Sequence, residues 1–195
     1  MGDIINVLVN IARETQGIKW ILVGSTASYL NGVDVRPKDI DILSDRDGAI
    51  ALGRYLSAKY EVVKPMTYST SEVYESYFGI YKIGAVKVEV MGNLVIKGRY
   101  GRFSVPFDEM LRFSREIILK GVVVRLVPLE WQLVANLYIP GKEKRVDRIL
   151  DALVRNGIDI EALRYILKYC SKGVATVVNR LLKSRGVEVQ LNYFM

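Results

Sequence analysis

The chain has 195 residues, half of them hydrophobic and a quarter charged, with a formal net charge of +7. That length supports one substantial core with a small helical annex, and no run of about 18 apolar residues predicts a membrane span. The sequence holds no histidine and a single cysteine, Cys170. This excludes a Ser-His-Asp triad, a Cys-His pair, a histidine-ligated zinc or iron centre and any intrachain disulfide. Chemistry is left to carboxylates, lysines, hydroxyls and a hard metal held by oxygen ligands.

In chain order, Met1 to Arg13 reads as an amphipathic helix with Ile4, Leu8 and Ile11 on one face. It carries Asp3 and no basic leader, so it is not a signal peptide, and with the lone cysteine it predicts a cytoplasmic protein. Ile18 to Val23 is a β-rich apolar run. A short helix over Thr26–Asn31 stops at Gly32. Asp39 to Leu43 is a second strand, and Ser44-Asp45 offers a cap for a helix reaching Ala58. Glu61 to Val63 reads as strand and Pro65 to Ser71 as loop. Tyr77 to Ile83 and Ala85 to Val90 form a hairpin at Gly84; Glu116 to Leu119 and Val122 to Val127 form another at Lys120-Gly121. From Pro128 the chain is helical, over Leu129–Ile139, Glu143–Arg155, Ile160–Lys168 and Gly173–Lys183, with Pro140-Gly141 and Asn156-Gly157 as breaks. Val187 to Tyr193 reads as a last strand. The expected organisation is a mixed α/β unit over residues 1–127 with a helical segment, 128–195, packed on it.

The charge is uneven. Residues 1–96 carry 10 basic and 11 acidic side chains; residues 97–195 carry 18 and 10. A basic second half suits a phosphate-bearing partner such as RNA, and is equally the composition of a charged, solvated surface. Within it, Lys97-Gly98-Arg99-Tyr100-Gly101-Arg102-Phe103 interleaves cations with aromatics, the pattern of a nucleic-acid loop or of a hairpin tip.

The chemistry concentrates in the first half. In Asp39-Ile40-Asp41-Ile42, alternation along a strand puts both carboxylates on one face and both isoleucines on the other. At about 4 Å two like charges repel by roughly 4 kcal/mol at an effective dielectric near 20. A cation relieves that repulsion, so the pair predicts a hard-metal site. The alternative is the exposed face of an edge strand. Glu89, between Val88 and Val90, repeats the alternation on a later strand, with Lys87 as its alternative partner. Gly24-Ser25 lies where a strand gives way to a helix. The glycine admits close backbone approach, and the serine either caps the helix or meets a phosphate.

Val23-Gly24-Ser25, then Asp39-Ile40-Asp41, then Glu89 resembles the motif of the nucleotidyltransferase superfamily of the DNA polymerase β type. The match is closest to its small stand-alone prokaryotic members, the minimal nucleotidyltransferases and type IV toxins. The motif covers about 70 residues. The resemblance implies an α/β (α+β) fold, with a mixed sheet flanked by helices and a helical segment following. It also implies Mg²⁺ or Mn²⁺ on Asp39, Asp41 and Glu89, and triphosphate over Gly24-Ser25. An acceptor hydroxyl attacks the α-phosphate and pyrophosphate leaves. RNA, particularly tRNA, a protein or a small hydroxyl compound are the acceptors it implies, and a toxin or antitoxin protein is a further partner. Lys142 and Lys144, in a run loosely similar to one in the toxins, are candidate triphosphate ligands. Val134-Ala135-Asn136-Leu137 lacks the lysine that the toxins often carry there. A catalytically silent RNA-binding module on the same fold is the competing expectation.

Overall fold

The chain builds one mixed sheet with helices on both faces, in a computed structural model that describes residues 1–189. The elements are α1 (Gly2–Glu14), β1 (Ile21–Val23), α2 (Gly24–Leu30), β2 (Asp39–Ser44), α3 (Arg46–Lys59), β3 (Glu61–Thr70), β4 (Tyr74–Ile83) and β5 (Val86–Gly98). There follow β6 (Gly101–Phe103), α4 (Phe107–Arg112), β7 (Arg115–Leu119), β8 (Val122–Leu126), α5 (Leu129–Tyr138), α6 (Glu143–Asn156), α7 (Ile160–Leu167) and α8 (Lys172–Lys183). The sheet order is β3-β4-β5-β2-β1-β8-β7, and β6 pairs with the far end of β5. Strand β2 runs parallel to β5 and antiparallel to β1; β1 is parallel to β8.

The pattern of β2 explains its position. Ile40 and Ile42 are fully buried, on the face covered by α1 and α3. Burial of each such side chain contributes roughly 1.5–3 kcal/mol, which pins the register, because a one-residue slip would bury the aspartates instead. The aspartates therefore face the other way, from a strand hydrogen-bonded on both sides. That removes the edge-strand reading of Asp39 and Asp41.

Other expectations change as well. Pro65 does not end a strand: β3 runs from Glu61 to Thr70 as the outermost strand, with register shifts on both sides of Lys64. An edge strand with bulges tolerates a residue that cannot donate to a ladder. Helix α4 has only two buried residues, Phe107 and Met110, and its six residues are too few to show a period. Val187–Val189 form no strand; the remainder of that expected strand lies outside the described residues.

Helices α5 to α8 share one continuous apolar core with the sheet. Helix α5 is the bridge between them, with Leu133, Val134 and Tyr138 almost wholly enclosed. Its C-terminus is docked on the end of β5. The Arg99 N–H donates to the Tyr138 carbonyl at 3.1 Å, and a Cβ on Gly98 would come within 1.9 Å of that oxygen. Gly98→Ala is therefore expected to force β5 and α5 apart. The expected loss is about 1–3 kcal/mol of stability, the usual cost of overpacking, read as a lower midpoint in urea unfolding; an unchanged midpoint would contradict this close approach.

Candidate active site

The three acids meet because β2 and β5 are parallel neighbours in matched register. Asp39 lies beside Lys87 and Asp41 beside Glu89. All four side chains share the face opposite the buried isoleucines. Lys87 Nζ lies 2.7 Å from Glu89 Oε1 and 3.5 Å from Asp39 Oδ2, so the lysine bridges two of the three acids.

The turn from β1 to α2 holds the other contacts. Ser25 Oγ donates to Asp39 Oδ1 at 3.2 Å, and Thr26 Oγ1 donates to the Asp39 carbonyl. The Ser25 N–H donates to the Asp41 carboxylate. Gly24 takes φ +68°, and a Cβ there would lie 1.9 Å from Asp41 Oδ2. Only glycine allows the carboxylate to rest on this backbone. Gly24 and Ser25 thus act in the structure as the cradle of the acids.

Asp41 is the electrostatic centre. Burial, then the negative charges of Asp39 and Glu89, push its carboxyl up to about 8; Lys87 and the Ser25 N–H offset this only in part. Lys87 in turn is raised, chiefly by its bond to Glu89. As the side chains stand, no three acids or thiols among the described residues enclose a point for an ion. The donor set is nevertheless that of a hard divalent cation: three carboxylates on adjacent strands, one lacking an adequate counter-charge. The residues fit such an ion, provided the ammonium of Lys87, whose side chain is 48% exposed, swings off at least one carboxylate.

Around the acids lies a cavity of about 660 Å³. Gly24, Ser25, Asp39, Asp41 and Glu89 line it together with Lys142. Lys144 does not: it is exposed on α6, two residues and about 200° round from Lys142. Arg145, three residues on, takes that place, and Arg36, Lys38 and Lys64 complete a cationic rim. None of these five cations makes an ion pair among the described residues. The helical spacing of Lys142 and Arg145 was a signal available in the sequence; the convergence of Arg36, Lys38 and Lys64 from a loop and an edge strand was not. The opposite wall is apolar. Met91 faces the cavity in phase with Glu89, whereas Leu94 and Ile96 face it from the other parity of β5. The change of phase falls at Asn93, which has φ +51°, beside a register shift against β4.

The Lys97–Phe103 segment is not a nucleic-acid loop of free aromatics. It is the β5–β6 hairpin, with Phe103 buried and stacked on Tyr138 at 5.1 Å and Tyr100 edge-on to the same ring. Arg102 pairs with Glu75, and Lys97 donates to Thr70 Oγ1.

No family model matches the sequence, and no curated protein matches it. Solved structures do. A protein of Thermotoga maritima assigned as a nucleotidyltransferase is 29% identical, with 80% of this chain and 92% of that one aligned at a TM-score of 0.62. A nucleotidyltransferase-like antigenic protein of Paracoccidioides brasiliensis shares the fold at 16% identity, a TM-score of 0.58 and coverage of 94% and 89%. So does ANT(2")-Ia, solved with adenylyl-2"-tobramycin, at 14% identity, 0.52 and coverage of 94% and 98%. The sheet, its order and the acid-bearing strands define a nucleotidyltransferase-type α/β fold. The chain is a member of the nucleotidyltransferase superfamily.

The raised pKa of Asp41 makes stability depend on pH. Its carboxyl titrates at 3.8 in an unexceptional setting and near 8 in the fold. The folded protein thus holds this proton more tightly than the unfolded chain. The resulting stability is fully present below about pH 4 and is lost as pH rises through about 8. Without divalent cations, the melting temperature of the wild type is expected to fall between pH 5 and 9 by more than that of Asp41→Asn. The difference corresponds to a few kcal/mol, on the order of 1.4 kcal/mol for each tenfold change in proton affinity. Parallel curves for the two proteins would refute the burial of this charge.

Proposed function

We propose that the chain transfers a nucleoside monophosphate from a nucleoside triphosphate to an acceptor hydroxyl, with Mg²⁺ or Mn²⁺, and releases pyrophosphate. The observation that carries this reading is the meeting of Asp39, Asp41 and Glu89 in one cavity rimmed by five cations without ion-pair partners among the described residues. The assignment of the 29% identical Thermotoga protein as a nucleotidyltransferase supports the reaction class.

Asp39 and Asp41 would hold the metal, with Glu89 completing a second position. Bound there, divalent ions would supply charge neutralisation of the triphosphate and of the oxygens that attack and leave. Gly24 and Ser25 keep the two aspartates fixed, so little reorganisation is needed on binding. Lys142, Arg145, Arg36, Lys38 and Lys64 meet the non-bridging oxygens of the triphosphate. Glu89, once freed from Lys87, accepts the proton of the acceptor hydroxyl. That oxygen then bonds to the α-phosphorus as the bond from the α-phosphorus to the bridging oxygen breaks, and the electron pair leaves with pyrophosphate. The positioning of the two reactants provides much of the acceleration.

The cavity also bears on the acceptor. ANT(2")-Ia was solved with an adenylylated aminoglycoside. Here, among the described residues, the only acids of the cavity wall are Asp39, Asp41 and Glu89, outnumbered by the cations. A polycationic acceptor meets repulsion at such a rim, whereas an anionic one is attracted. Among RNA, protein and small hydroxyl compounds, RNA, with tRNA foremost, agrees best with this rim and with the basic second half of the sequence.

Incubation with each α-³²P-labelled triphosphate, Mg²⁺ and total RNA is expected to label an RNA band. Asp39→Ala/Asp41→Ala is expected to reduce the rate by at least about a thousandfold, the scale of losing charge stabilisation in the transition state. Lys144→Ala should leave it unchanged, while Arg145→Ala should raise KM for the triphosphate. Labelling that persists in the double variant would refute the assignment of the acids, and the absence of labelling on any acceptor would refute transfer.

A further inference from the structure

Beyond the metal-binding end, one stretch of the cavity has a different chemistry. Phe78, Met91, Leu94, Ile96, Trp131 and Ile139 give it an apolar lining. In the same wall stand two polar groups with unmet hydrogen-bonding capacity. Trp131 is 6% exposed and Gln132 2% exposed. Trp131 Nε1 has no partner among the described residues, and neither has one end of the Gln132 amide. Buried polar atoms without partners destabilise a fold, and an apolar residue at either position would remove the penalty.

The orientation of the Gln132 amide follows from its neighbour. Ser28 Oγ lies 2.9 Å from the Gly24 carbonyl oxygen and 2.9 Å from the Gln132 amide. A hydroxyl has one proton, and a carbonyl oxygen only accepts. If Ser28 donates to Gly24 and accepts from Gln132 Nε2, both contacts are satisfied. The reverse orientation leaves two oxygens 2.9 Å apart with no proton between them. Amide oxygen and nitrogen are assigned by such networks, and this network assigns Nε2 to Ser28. Gln132 Oε1 is then the free end, an acceptor beside the Trp131 donor.

We propose that this apolar stretch seats the nucleobase of the triphosphate and that Gln132, held by Ser28, determines which base is preferred. The inference rests on the nucleotidyl-transfer reading for the presence of a nucleotide. A nucleobase has what the wall lacks: flat apolar faces to lie against Phe78 and Met91, and an edge that both donates and accepts. It is also the part of a nucleotide farthest from the phosphates, which the acids and cations hold at the other end. A volume of about 660 Å³ accommodates both ends of one nucleotide.

Trp131 provides its own readout. The chain has two tryptophans, and the other, Trp20, is bonded to Thr15 Oγ1, outside the cavity wall. In a Trp20→Phe background, Trp131 fluorescence would be followed on titration with ATP, GTP, CTP, UTP and inorganic triphosphate, each with Mg²⁺, and triphosphate binding checked by calorimetry. Nucleotides are expected to quench, triphosphate to bind without quenching, and the best base to bind about tenfold or more tighter than the poorest, the scale of one hydrogen bond to a buried group. Gln132→Met should bring the four nucleotides within about twofold while leaving the triphosphate affinity unchanged. Ser28→Ala, which untethers the amide without removing it, should reduce the preference by a smaller factor and serves if Gln132→Met does not fold. Equal quenching by triphosphate, or a preference that survives both variants, overturns the inference. The absence of nucleotide binding overturns it as well. Base-selective quenching in a protein that labels no acceptor upholds it and refutes the transfer reading instead.

Discussion

The constraint on which the molecule depends is the confinement of three like charges on two adjacent strands. Asp39, Asp41 and Glu89 cannot separate, because Ile40 and Ile42 on the other face of β2 are fully buried and the parallel pairing with β5 sets the register. The hydrophobic face thus fixes the position of the electrostatic one. Lys87 bridges Asp39 and Glu89, and Asp41 is left with a backbone N–H and a raised pKa. A site of this kind is poised for a cation, since the repulsion is built into the native fold and is relieved on binding.

The surroundings of the acids have a consistent logic. Gly24 lets backbone rest against Asp41, Ser25 orients Asp39, and Thr26 ties the strand bearing them to the start of α2. Each contact limits movement of a carboxylate before any ligand arrives. The same short turn carries Ser28, which reaches across to Gln132 on α5. One seven-residue helix therefore couples the acid cluster to the helical segment.

Helix α5 also explains why the segment from Pro128 onward is part of the cavity and more than an annex. Trp131, Gln132, Ala135, Asn136 and Ile139 recur at helical spacing and form one wall of the cavity, while Leu133, Val134 and Tyr138 anchor the helix in the core. Its end is fixed by the close approach of Gly98 to the Tyr138 carbonyl. The cavity walls are thus as rigidly placed as the sheet, which suits a site that works by positioning.

Much was legible in the sequence because it was local. Period-two alternation identified β2 and β5 and assigned both aspartates to one face, and the Gly-Ser turn and the hairpin glycines marked element boundaries. The resemblance carried by Gly24-Ser25, Asp39, Asp41 and Glu89 named the superfamily. Other features depended on separation in sequence. The edge position of β3, which lets Pro65 stay in a strand, is a property of the sheet order. The cationic rim draws Arg36, Lys38, Lys64, Lys142 and Arg145 from distant elements, and no local pattern marks that convergence. Lys144 and Arg145 are adjacent in the chain, yet only the packing of α6 decides which faces the cavity, because consecutive helical residues point about 100° apart. The aromatics of Lys97–Phe103 looked available for stacking until α5 took them into the core. Composition and periodicity determined the elements, the acids and the chemistry excluded by the absence of histidine. The tertiary structure alone decided which charges pair, which remain unmatched and what shares their cavity, because these depend on through-space distances that the order of residues does not encode locally.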